Sequence, residues 1–209
     1  MADHELLIEK LSREATPVTR PQATRLRVLS WMLLALPCGA LSSLLVSRAA
    51  TDWSTPGAWL ALLQISLAFV VGGLAIANAF ALSIAGRRPL SWRWFAPLLL
   101  VWGGAVLFSL GETHLQAHHP DEVNCYAFMM TVSAPMIIIA IAYLRRTRTL
   151  YPLRTLATAG AGVASMALTL LTFCHPVEIH PMDFLLHIAA IITIVCATIV
   201  LGWRHVVIS

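Results

Sequence analysis

Six apolar stretches fill most of this chain: roughly 28–47, 59–85, 94–111, 125–144, 155–173 and 184–203. None holds a Lys or Arg except at its ends. A bilayer's hydrocarbon core is crossed by about 20 apolar residues in helical form. In lipid every backbone N–H and C=O must be satisfied within the chain, and a helix does this alone. The pattern therefore predicts an all-α membrane protein, a bundle of six transmembrane helices. Composition agrees, with 58% apolar and only 11% charged residues, against about 25% charged in a soluble domain. One membrane domain over 28–204 is expected, with a polar head at 1–27 and a short tail at 205–209. The basic residues fall between the apolar segments and form no single patch, so direct nucleic-acid binding is not indicated.

Basic residues orient the spans. Thirteen of the fourteen Lys and Arg fall in alternate polar segments: the N-terminal head, 86–93, 145–154 and the C-terminal tail. Arg48 alone falls on the opposite side. This predicts an N-in/C-in topology with both termini cytoplasmic. Residues 86–97, with Pro89, Pro97, Trp92 and Trp94, are expected to form a tight interfacial turn. Pro37 and Pro135 fall inside the first and fourth spans, where proline is tolerated and kinks a helix. The head before the first span is long and holds four acids, unlike the start of a cleaved signal peptide.

The opposite side carries acids and imidazoles, among them His118, His119, His175 and His180, with His187 just inside the last span. Cys125 begins the fourth span and Cys174 follows the fifth. A short connection joins these spans, so an antiparallel hairpin would put both thiols at one depth. Three roles are open to the pair. In an oxidising compartment they could form a disulfide. With His119, His175 and His180 they could hold a soft or borderline metal ion. They could also simply pack, as buried cysteine does. Cys38 and Cys196 lie within spans and read as structural. No cysteine pair has redox-motif spacing, and no phosphate-loop, dinucleotide or zincin motif occurs. Few ionisable groups lie deep in the spans, which disfavours a pump or exchanger.

The head contains HELLIEKLSREATPV. Leu7, Leu11 and Ala15 recur at helical spacing with Leu6 and Ile8 beside them; Asp3 is a candidate N-cap, and Pro17 limits the helix. A short amphipathic helix is expected, marginal by itself in water. Its four acids against two bases favour a protein partner over anionic lipid.

The Leu7-Ile8 to Leu11 core, the following Pro17-Val18, six spans, Cys125, Cys174 and the closing Gly202 and Arg204 together carry a resemblance. The chain resembles the NrsF family of negative regulators, membrane anti-sigma factors of bacterial extracytoplasmic-function sigma factors. One departure stands out: His175 intervenes between Cys174 and Pro176, where the family has proline directly after cysteine. The resemblance implies a multi-pass protein of the bacterial inner membrane. Its cytoplasmic tail, through Leu6, Leu7, Ile8, Leu11, Pro17 and Val18, would sequester a sigma factor. Cys125 and Cys174 would sense heavy-metal or redox stress on the periplasmic side. It implies no enzyme activity and no obligatory cofactor, only a transient heavy-metal ion. The alternatives are a membrane thiol oxidoreductase using Cys125 and Cys174, or a small multipass transporter.

Overall fold

A computed structural model describes residues 2–14, 21–46, 51, 53–54, 58–112, 125–147, 149–174 and 181–207. Among these, seven α-helices and no strand occur: α1 (Ala2–Glu14), α2 (Thr24–Ser42), α3 (Ala58–Leu82), α4 (Trp92–Glu112), α5 (Cys125–Arg145), α6 (Pro152–Leu171) and α7 (Pro181–Val206). A 3-10 turn at Ser43–Leu45 closes α2. α2 to α7 are each long and apolar enough to cross a membrane, and they match the six expected spans. The chain is a multi-pass membrane protein.

Hydrogen bonds between helix ends define the two ends of the bundle. At one, Thr149 donates its amide to Val206 O (3.1 Å) and its hydroxyl to Leu82 O (3.1 Å), gathering the ends of α3 and α7 beside the start of α6. At the other, Thr51 donates to Thr172 O (2.7 Å), and the Cys125 thiol faces Asp183 at the start of α7. The described arginines of the bundle all fall at the first end, hereafter the basic end.

α5 buries Cys125, Phe128, Met129, Val132, Met136, Ala140 and Leu144, a stripe at three- and four-residue spacing. α2 lies on it through Arg27, Trp31, Ala35 and Gly39, which recur every fourth residue. α6 sits between α3 and α7, and its small residues let it. A Cβ on Gly162 would stand 2.8 Å from Ile76 Cγ1 on α3, and one on Gly160 would stand 2.8 Å from Val195 Cα on α7. Small residues at such crossings let helix backbones approach closely in lipid. α4 packs chiefly on α3 and is the outlying helix.

The Gly160 contact is with backbone, which cannot rotate aside. Gly160→Val should therefore destabilise by about 2–3 kcal/mol, an overpacking penalty. The thermal midpoint in detergent should fall by about 5–10 °C, as for a chain of this size. Gly103, with open space around its Cβ position, is the control. Gly103→Ala should be neutral or slightly stabilising, since a helical glycine costs about 0.5–1 kcal/mol relative to alanine.

Several expected boundaries move. α2 starts at Thr24 instead of 28, and its α-helix ends at Ser42 instead of 47. Arg25 and Arg27 therefore belong to the bundle, and the head ends before Thr24. α3 stops at Leu82 instead of 85, because Ser83 turns its hydroxyl onto Phe80 O (2.8 Å) and the chain reverses through Gly86, whose φ is +81°. The expected turn at 86–97 is shorter: α4 begins at Trp92 and takes in Pro97. Asn78 Oδ1 accepts from the amide of Leu90 (2.8 Å) and fastens this turn to α3. α6 and α7 each start three residues early, both at a proline, Pro152 and Pro181. Proline suits the first helical position, where its missing N–H would be unbonded anyway. α1 begins at Ala2, so Asp3 lies within its first turn instead of capping it.

Candidate functional site

Three places on the chain carry polar chemistry or unburied apolar surface that packing alone does not explain.

The first is α1. Leu6, Leu7, Ile8 and Leu11 are each more than half exposed. Exposed leucines on α2 to α7 are what a lipid-facing surface requires. α1 is different, because its 13 residues are too short and too polar to cross a bilayer. Its Glu9 and Arg13 pair on the surface at 2.6 Å, one turn apart. Exposed pairs of this kind add little to stability. Pro17 and Val18, also expected at this surface, lie outside the described residues.

The second is the socket of Arg27 at the basic end, which sequence reasoning treated only as one more cytoplasmic charge. Arg27 is 5% exposed. Nη1 donates to Phe80 O (3.4 Å) and Ser83 Oγ (3.3 Å); Nη2 donates to Tyr143 O (3.2 Å) and Thr147 Oγ1 (3.2 Å). The guanidinium also lies 4.7 Å from the centre of the Phe80 ring, which stacks on Tyr143 at 5.7 Å. A buried charge needs compensation. Here it comes from helix ends, since Phe80 and Tyr143 sit in the last turns of α3 and α5, where unpaired carbonyls make the negative pole of a helix. Tyr143 O has a specific vacancy: the Thr147 amide donates to Leu144 O instead, so Arg27 takes the place of a helical N–H. The signal was present in sequence, since Arg27 heads the Trp31, Ala35, Gly39 stripe at i+4 spacing.

The third is the far end, where the two cysteines lie. Cys125, the first residue of α5, is fully buried, and its thiol donates to Asp183 Oδ1 at 3.9 Å. Asp183 sits in the first turn of α7, where a carboxylate complements the positive helix pole. His187 follows one turn along α7, partly buried. Cys174 stands three residues past the end of α6, half-buried against the same core that contains Cys125. Its neighbour Phe173 packs on Trp53, ring centres 5.9 Å apart. Both thiols thus lie at the end of the bundle opposite the basic end. None of the four cysteines is in a disulfide. Cys38 is half-buried and Cys196 exposed on α7, so Cys196 borders lipid. Among the described residues no three His, Cys, Asp or Glu side chains are grouped to hold a metal ion. His119, His175 and His180 lie outside those residues. Asp183 falls one residue before the span expected at 184–203, so its approach to Cys125 was not anticipated.

Compared with family models, with curated proteins and with solved structures, the chain matches none.

Proposed function

We propose that this protein is a membrane anti-sigma factor. Its cytoplasmic head holds an extracytoplasmic-function sigma factor at the bacterial inner membrane, and a change at the Cys125/Cys174 end releases it. The observation that carries this reading is the exposed Leu6, Leu7, Ile8 and Leu11 surface of α1, an apolar face on a helix that cannot span. A marginal helix with such a face gains stability when a partner covers it. Its acidic balance favours a protein over an anionic lipid surface. The sequence resemblance supplies the kind of partner, and the asymmetry of basic residues supplies the orientation, with the basic end in the cytoplasm.

α5 joins input to output in this reading. Its first residue is Cys125, and its last turn receives Arg27 from α2, the helix that follows the head. Coupling requires two arrangements of these helices whose balance the far end biases. A metal ion or oxidant that draws Cys125 away from Asp183 would disturb the start of α5 against α7.

The test of the partner is co-purification of the full chain, and of a chain lacking residues 1–23, from cells making both proteins. The full chain should retain the sigma factor and the shortened one should not; equal retention would refute the proposed contact. The test of the sensor is Cys125→Ser together with Cys174→Ser. The double variant should still repress, but sigma-dependent transcription should no longer rise on exposure to heavy metal. An unchanged response would remove these thiols from the sensing step.

A further inference from the structure

A trough of about 560 Å³ opens between α4 and α6, with α3 as its floor. On the α4 side it is lined by Trp92, Phe95, Leu99 and Trp102, a stripe at three- and four-residue spacing. On the α6 side Thr158, Ala161 and Ser165 form a low wall, and Ala161 is exposed. α4 stays apart from α6 because it packs chiefly on α3. From Trp92 to Trp102 the trough runs about 15 Å at helical rise. That is the depth of one leaflet, half of a hydrocarbon core of about 30 Å. It opens at the basic end, at Trp92 on α4 and Ala157 on α6, and along α6 it reaches past the middle of the helix to Leu168.

Three arginines flank its basic-end lining residues in sequence, none of them itself part of the lining. Arg154 lies one turn before Thr158 on α6, and its carbonyl accepts from the Thr158 hydroxyl at 2.6 Å. Arg93 adjoins Trp92 on α4, and Arg88 precedes Leu90, which also lines the trough. All three arginines are exposed, and within the described residues none is paired with a carboxylate. The trough is lined almost wholly by apolar residues along its length, and arginines flank its basic end.

We propose that this trough is a binding site for one anionic phospholipid, an acyl chain lying between α4 and α6 and the phosphate held by Arg88, Arg93 and Arg154. Trp92 stands at the height where tryptophan prefers the membrane interface. A second copy of the chain fits less well. A two-fold axis along the membrane normal would bring both sets of arginines to one height and set like charges together. The site is independent of what α1 binds.

The experiment is native mass spectrometry of the full chain released from vesicles of equimolar palmitoyl-oleoyl phosphatidylglycerol and phosphatidylcholine. One phosphatidylglycerol should stay bound in preference to phosphatidylcholine. Arg88→Gln, Arg93→Gln and Arg154→Gln should each reduce that preference about fivefold, the contribution of one basic residue at an anionic surface. Ala161→Phe, which fills the trough from an exposed position, should lower retention of the bound lipid. Equal retention of the two lipids by the unaltered chain would overturn the proposal, as would unchanged preference in the triple glutamine variant. A dimer mass that excludes lipid and is lost in Ala161→Phe would assign the trough to a second copy instead.

Discussion

Replacing Arg27 with methionine should lower the stability of the bundle by about 2–3 kcal/mol, the usual loss for hydrogen bonds to a charged group whose partner stays buried. Methionine keeps much of the length of the side chain and fills much of its volume, so the effect reports the guanidinium. Ser83 and Thr147 would keep partners, because Thr147 Oγ1 donates to Ser83 Oγ at 2.9 Å and Ser83 Oγ to Phe80 O. Tyr143 O would not, since the Thr147 amide is turned to Leu144 O. The orphaned carbonyl in the last turn of α5 is the specific lesion. Removing a buried charge also removes its desolvation cost, which limits the loss. Arg27→Lys should recover only part of it, because an ammonium lacks the planar fork that reaches α3 and α5 at once. Scanning fluorimetry in detergent reads both variants. A fall of about 5–10 °C for methionine, with lysine between it and the parent, is expected for a chain of this size. No change for methionine would mean that the socket contributes nothing net. If α2 carries the state of the bundle to the head, the same substitution should also raise sigma-dependent transcription without any stress.

The socket shows what sequence could and could not give. Apolar length identified all six spans, because lipid leaves a chain few ways to satisfy its backbone. The ends were less legible. At α2 the two arginines looked like the limit of an apolar segment, yet Arg27 continues the helix because two other helix termini accept its donors. Those termini belong to residues 53 and 116 positions away, and no local pattern announces them. At α6 and α7 the proline that opens each helix was the available signal. Missing it at α7 left Asp183 in a loop and hid its approach to Cys125. The placement of Cys125 and Cys174 at the same end of the bundle followed from topology alone. The trough did not, because it depends on α4 standing off from α6, which hydropathy along the chain does not encode.

Leu7→Asp with Leu11→Asp should strongly weaken capture of the proposed sigma-factor partner by the full chain. The two residues stand one turn apart on α1, each more than half exposed, so they are available to one partner surface. Burial of a leucine side chain contributes about 1.5–3 kcal/mol. Losing about 2 kcal/mol at each site is a factor of about 30 in affinity, at 1.4 kcal/mol per tenfold. Neighbouring sites do not add strictly, so a combined loss of about two to three orders of magnitude is expected. Burying carboxylates without partners would deepen it. Leu7→Met with Leu11→Met keeps the volume and the apolar character, and should retain capture nearly unchanged. The fold of the bundle is a built-in control, because α1 side chains are exposed and the spans should melt as before in both double variants. Binding of the sigma factor to each full-length variant in nanodiscs gives the affinities directly. Full capture by the aspartate variant would place the contact elsewhere in the head. Equal loss with methionine would mean that the partner reads the shape of this face and not merely its apolar character.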